Sequence, residues 1–327
     1  MLAIFATTFP FFALVLCGYI AVRRQMLPQL AIPGMNGFVL YFALPCLLYR
    51  FGSSTPLGQL LDPGVFGVYL VAGLLTVALA MMVALRRKAD WNNAAFGALV
   101  SAFPNTGFMG VPLLVALLGT RASGPVIVTL VVDLIITTSL CIALSRLGQG
   151  GAGSPGGPLS SGHGSGVALR HALGGMLRNP LPWAIAIGAL ASALDLMLPG
   201  PLERTIALLA DAASPVALFT IGAVLARSQM NASVPTALAD VVPFALAKLL
   251  LHPLLMFGLG HAAIGAGVPL APSSLTVLVL VACLPSASNV ALLSEFFGAD
   301  TGRIARIILV STALSFLTFS GAVALLT

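Results

Sequence analysis

Phe103-Pro104-Asn105-Thr106-Gly107 and Leu284-Pro285-Ser286-Ala287-Ser288-Asn289 each set a proline beside small polar residues, in the middle of an apolar run long enough to cross a bilayer. Proline removes a backbone hydrogen bond and clashes with the preceding turn, so each run is expected to break there. The amide and carbonyl groups so exposed cannot be satisfied by hydrocarbon, and something polar must meet them. Two such breaks at matching places in the halves of one chain are the pattern of a secondary transporter's substrate site. Merely kinked helices would also carry prolines. The neighbours argue for more: Asn105, Thr106, Gly107 and Gly110 follow the first break before Pro112, and Ser286, Ser288 and Asn289 follow the second. Asparagine at mid-membrane depth is costly unless paired.

Composition fixes the class. With 59% hydrophobic and only 7% charged residues, and a mean hydropathy of +1.07, the chain is a polytopic membrane protein; a water-soluble domain carries about a quarter charged residues. The net charge of +6 does not point to nucleic acid, because the basic residues are scattered over short connections and form no patch. Cys17, Cys46, Cys141 and Cys283 lie singly in apolar runs, without the close spacing that metal sites or redox pairs need. Neither a cofactor nor a metal is expected.

Runs of roughly 20 apolar residues occur near 3–22, 32–50, 64–85, 93–118, 124–145, 179–198, 203–226, 234–258, 272–297 and 304–326, which predicts ten spans. Arg23, Arg24, Arg86, Arg87, Lys88, Arg146, Arg170, Arg178, Arg227, Arg303 and Arg306 fall in alternate connections. By the positive-inside rule these are cytoplasmic, and both termini lie on the far side. The first run is not preceded by positive charge and is followed by two arginines, the reverse of a signal peptide, so it is expected to be retained. The Gly-, Ser- and Pro-rich stretch within 148–170 reads as a flexible cytoplasmic linker.

That linker separates residues 1–147 from 171–327, each with five spans, so the second half enters the membrane in the opposite sense. The expected fold is therefore all-α, two inverted five-helix repeats. Ala43-Leu44-Pro45 answers Ala213-Ser214-Pro215 at an interval of 170, and Pro104 answers Pro285 at 181. If spans four and nine cross at their breaks, the half-helices beyond them point their partly positive amino ends at the crossing, where an anion can sit. The carboxamides of Asn105 and Asn289 can donate to a carboxylate and accept from a protonated group.

At Pro104 through Pro112, Arg178-Asn179-Pro180, Asp211-Ala212-Ala213-Ser214-Pro215 and Pro285 through Asn289, the sequence resembles the auxin efflux carrier family, and within it the bacterial malonate carriers. The resemblance covers nearly the whole chain. It implies a fold like those of sodium/proton antiporters and bile-acid symporters, with crossed fourth and ninth helices and an elevator-like exchange between outward and inward states. It also implies a bacterial inner membrane, a small carboxylate substrate such as malonate, and an auxin-like monocarboxylate as the alternative. The expected substrate residues are Pro104, Asn105, Thr106, Gly107, Pro285, Ser286, Ser288 and Asn289.

Four ionisable residues stand out inside predicted spans. Lys248 sits mid-span with His252 one turn on, and must face a partner or a cavity; it is expected either to attract the anion or to pair with an acid. Asp133, with wholly apolar neighbours, and Asp211 are candidates to carry a coupling proton or sodium ion, and His252 a proton. Glu295, Asp300, Arg303 and Arg306 are expected to form a solvated cluster. No Gly-x-Ser-x-Gly elbow, His-Glu-x-x-His helix or paired carboxylates occur, which argues against an enzyme. Paired breaks within one chain suit alternating access better than a channel, and a membrane sensor that binds without moving its ligand stays open. Scattered Gly and Ala leave room for a homodimer.

Overall fold

The computed structural model describes residues 2–54, 62–147, 180–230 and 237–327; the linker expected over 148–170 and the Arg178-Asn179 lead-in lie outside them. Regular structure among these residues is helical: α1 (Leu2–Arg23), α2 (Ala31–Ser54), α3 (Pro63–Arg86), α4 (Trp91–Ala102), α5 (Val111–Leu118), α6 (Thr120–Leu147), α7 (Pro180–Ala193), α8 (Gly200–Met230), α9 (Leu238–Gly265), α10 (Pro272–Cys283), α11 (Asn289–Phe296) and α12 (Thr301–Leu326). Six of them, α2, α3, α6, α8, α9 and α12, are long and apolar enough to cross a membrane. Aspartates start three: the Asp62 carboxylate accepts from the amides of Gly64 and Val65, Asp90 from Asn93 and Asp300 from Arg303, each satisfying donors that a helix start leaves open.

Proline shapes the helices as well as breaking them. Val39–Ala43, Thr106–Gly110 and Ala247–Leu251 are single wide turns, and each ends two residues before a proline: Pro45, Pro112 and Pro253. Widening the turn relieves the clash of the ring with the preceding carbonyls. A fourth wide turn, Asp133–Thr137, has no proline. There the Thr138 hydroxyl donates to the Asp133 carbonyl at 2.7 Å, so a side chain takes part in the backbone ladder instead.

The helices pack in two groups. α1 lies along α8, and α2 against α7 and α8; α3, α4, α6, α9, α10 and α12 form the other group around the larger apolar core. In the first group, glycines set the approach. A Cβ on Gly222 would collide with the Val15 carbonyl, and one on Gly18 with that of Phe219; likewise a Cβ on Gly188 would stand 2.5 Å from the Tyr49 oxygen and one on Gly52 3.0 Å from that of Ile185. Both contacts are reciprocal, glycine facing backbone in each direction. The same interval of 170 residues separates Gly18 from Gly188 and Gly52 from Gly222.

At one end of the second group the expectation of a solvated charge cluster fails for Arg303. Arg303 is buried: its Nε donates to the Asp240 carbonyl and its Nη1 to that of Asn93, both at 3.2 Å, and its guanidinium lies 4.5 Å over the Phe244 ring. The Asn93 side chain accepts from the Asp300 amide at 2.7 Å. One fork of donors thus ties the starts of α4, α9 and α12 together, which a planar guanidinium does better than an ammonium. Asp300 is exposed and Arg306 half-buried, whereas the Glu295 side chain lies outside the described residues. Arg303→Met is expected to lower stability by on the order of 2–4 kcal/mol, because it strands two carbonyls. Thermal unfolding in detergent reads the loss.

Candidate functional site

Both prolines interrupt their helices as predicted. α4 ends at Ala102 and the helix resumes at Thr106, while α10 ends at Cys283 and α11 starts at Asn289. The intervening residues are extended and meet. Asn105 N donates to the Pro285 carbonyl at 2.8 Å, Ala287 N donates to the Phe103 carbonyl at 3.0 Å, and Pro104 stands opposite Ser286 in an antiparallel bridge. Each break therefore satisfies backbone groups of the other where water is scarce. The remaining turn is closed locally: the Asn105 carbonyl accepts from the amides of Met109 and Gly110, and Ser286 N donates to Ser311 Oγ at 3.2 Å.

The side chains are less satisfied than the backbone. Asn105 is only 4% exposed, and its carboxamide makes no hydrogen bond among the described residues. Ser286 Oγ and Asn289 Oδ1 are buried without a partner, and the half-buried Ser288 hydroxyl makes no bond. Thr106 Oγ1 reaches only its neighbour's carbonyl, that of Pro104, at 3.5 Å. Buried polar groups are ordinarily paired. At this crossing the side chains of Asn105, Ser286, Ser288 and Asn289, all singled out in the sequence, depart from that rule in whole or in part.

A second polar cluster lies beside the crossing. Lys248 Nζ is 3.1 Å from His252 Nδ1 and donates to the Ala282 carbonyl at 2.7 Å. Asp133 accepts from the Tyr69 hydroxyl at 2.6 Å on one oxygen and from Thr137 Oγ1 at 3.1 Å on the other. All five residues are buried, and the rings of Tyr69 and His252 are 6.1 Å apart. Both charged residues open or enter a wide turn, Asp133 at the head of one and Lys248 second in the other. The two do not form a direct ion pair: the pairs among the described residues are Arg50–Asp211 and Arg87–Asp240. Lys248 instead serves the last turn of α10, whose carbonyls the break leaves open, and a cation there suits the helix dipole. Unlike the crossing, this cluster satisfies itself, apart from His252 Nε2, which is buried without a partner.

Asp211 is not brought to either place. Its side chain is 67% exposed and bonds Arg50 at 2.7 Å, linking α2 to α8. Conversely, Tyr69, Thr137 and Ser311 belong to the polar framework and were not marked by the sequence. Each is a lone hydroxyl in an apolar run, and only the tertiary contact distinguishes it from packing. No group of three or more His, Cys, Asp or Glu that could hold a metal ion occurs among the described residues.

Comparison with known proteins finds transporters similar to this chain. A Rhizobium meliloti (strain 1021) protein named as a candidate malonate transporter is 30% identical over 315 residues, 95% of this chain and 92% of the relative. An uncharacterised transporter of Escherichia coli (strain K12), YfdV, is 25% identical over 89% of this chain and 88% of its own length. Auxin efflux carrier component 4 of Arabidopsis thaliana is 32% identical, over 34% of this chain and 18% of its own length. These relatives are similar to this chain as transporters, not as enzymes. The sequence also matches the family described as membrane transport protein over residues 3–323, almost its whole length, and with six membrane-length apolar helices among the described residues the chain belongs to that family of multi-pass, auxin efflux carrier-like transporters.

Proposed function

We propose that this chain is a secondary carrier of small organic anions, malonate or a similar carboxylate, binding its substrate where the two breaks cross. The observation that carries the reading is the set of unpartnered polar groups on Asn105, Ser286, Ser288 and Asn289, set at the amino ends of two half-helices. Carboxamides and hydroxyls can donate to a carboxylate that the helix ends also attract. The name of the Rhizobium meliloti relative supports malonate as the first substrate to try.

The reading extends to architecture and movement. Ten spans in two inverted repeats are supported by the shared 170-residue interval, which relates Gly18 to Gly188, Gly52 to Gly222 and Pro45 to Pro215. Close glycine packing makes α1, α2, α7 and α8 a stiff frame, against which the second group, holding the crossing, moves as an elevator. The protein then lies in a bacterial inner membrane with both termini outside the cytoplasm. Coupling to a proton runs through Asp133, with His252 beside it; Asp211, exposed and paired with Arg50, has no part. Lys248 positions the end of α10 and does not touch the substrate.

Uptake of radiolabelled malonate into proteoliposomes tests the proposal, with succinate, acetate and indole-3-acetate as competitors. Asn105→Ala and Asn289→Ala are each expected to lower kcat/KM roughly 10- to 100-fold, the loss of a hydrogen bond to a charged group, with unfolding temperatures unchanged. Wild-type uptake by both variants would remove the crossing as the site. The partial match to the Arabidopsis auxin carrier favours one second reading, an auxin-like monocarboxylate carrier, and competition by indole-3-acetate without competition by succinate would select it.

A further inference from the structure

A groove of about 670 Å³ runs along the outer face between α3 and α6, away from both polar clusters. Its walls are apolar, with Val77, Met81 and Leu85 on α3 and Leu140 and Leu144 on α6. One end differs: Arg86, at the close of α3, and the exposed Trp91, at the start of α4, complete the lining there. Arg86 makes no hydrogen bond or ion pair among the described residues. Lys88, two residues on, is likewise exposed and without a partner, whereas Arg87 donates to the Ala239 carbonyl and pairs with Asp240. The chain thus ties the middle base of three to the start of α9 and leaves its two neighbours free, Arg86 at the mouth of the apolar trough and Lys88 two residues beyond it.

We propose that this groove holds a phospholipid with an anionic headgroup, one acyl chain along the trough and the phosphate on Arg86 and Lys88. Three features select that occupant. A trough with so few polar walls suits a hydrocarbon chain and cannot hold a soluble anion. Tryptophan at the boundary matches the interfacial belt where rings sit at headgroup level. Unpaired basic residues at a span's end complement anionic lipid, and the connection that carries them is the one assigned to the cytoplasmic leaflet, where such lipids concentrate. Arg86 can meet a phosphate with two parallel donors, which gives the site a preferred headgroup and separates it from general lipid contact.

Fluorescence quenching of Trp91 by brominated lipid reads occupancy directly, in a Trp183→Phe background that leaves one tryptophan of the two in the chain. Nanodiscs containing a small fraction of dibrominated phosphatidylglycerol are compared with nanodiscs containing the same fraction of dibrominated phosphatidylcholine. Stronger quenching by phosphatidylglycerol is expected, and the preference should fall about fivefold for each basic residue removed, as Arg86→Gln and then Arg86→Gln with Lys88→Gln. Filling the trough by Ala78→Phe should weaken quenching by both lipids, without a change in unfolding temperature, since Ala78 lines the groove and is exposed. Equal quenching by the two lipids in the parent protein overturns the proposal and reduces the groove to bulk lipid contact. Protection of Trp91 from both lipids also overturns it, and points to a second copy of the chain seated there.

Discussion

Alanine at Gly18 or Gly222 is expected to leave almost no folded carrier in a detergent extract. Between helices in a bilayer there is little hydrophobic drive, because lipid is as apolar as a side chain, so association rests on close packing. At these two positions the close packing is backbone against backbone: the added methyl meets the Phe219 or Val15 carbonyl, and no rotamer can move it away. The whole of α1 would have to shift from α8. Overpacking of ordinary side chains costs about 1–3 kcal/mol, and a collision with main chain belongs at or above the upper end of that range. Gly188→Ala, with 2.5 Å to the Tyr49 oxygen, should come next, and Gly52→Ala, at 3.0 Å, should be mildest. Gly67→Ala in α3 meets nothing within 4 Å and should gain about 0.5–1 kcal/mol through helix propensity. Yield of monodisperse protein and its melting temperature give the order, and a Gly222→Ala variant as stable as Gly67→Ala would remove the stiff frame from the proposal.

Lys248→Met should cost about 1–3 kcal/mol, the usual penalty when a buried acceptor loses its donor. It strands the Ala282 carbonyl at the end of α10 and leaves Asp133 without a cation in the interior. Asp133→Asn should destabilise by a similar amount, leaving the Lys248 amine without its counter-charge and weakening the bonds from Tyr69 and Thr137. Combining them removes both charges, so the double variant should be more stable than the sum of the single losses predicts. It should not return fully, because Ala282 still lacks its donor. Transport separates structure from coupling: malonate uptake by Asp133→Asn should no longer respond to an imposed pH gradient. A retained response would rule out Asp133 as the proton carrier, and strictly additive melting shifts would show that the two residues do not share a network.

Which parts of this arrangement could be read from the sequence follows from physics local to the chain. Pro104 and Pro285 announce their breaks because proline lacks an amide wherever it stands, and the surrounding Asn105, Ser286 and Asn289 are conspicuous in hydrocarbon. Apolar runs likewise need no knowledge of neighbours. Partnerships between distant residues are different. Nothing in Val68-Tyr69-Leu70 says that the hydroxyl meets Asp133, and Arg303 looks like a surface charge until α4 and α9 present their carbonyls to it. Asp211 misled in the other direction: it lies in an apolar run, yet the face of α8 that carries it is open and Arg50 stands opposite. The 170-residue interval between glycines was present in the sequence, but among 34 glycines it acquires meaning only once Gly18 is seen against α8 and Gly52 against α7.

Synthesis of the chain gives the crossing an order in time. Phe103 and Asn105 leave the ribosome about 180 residues before Pro285 and Ala287, the groups that satisfy them. During that interval the first break sits in the translocon or the bilayer with a donor and an acceptor unanswered, a costly state in hydrocarbon. The broken segment from α4 to α5 is therefore a waiting element until the segment from α10 to α11 arrives. A chain that stops short of residue 285 keeps this break open, lacking the very backbone groups that close the crossing in the finished carrier.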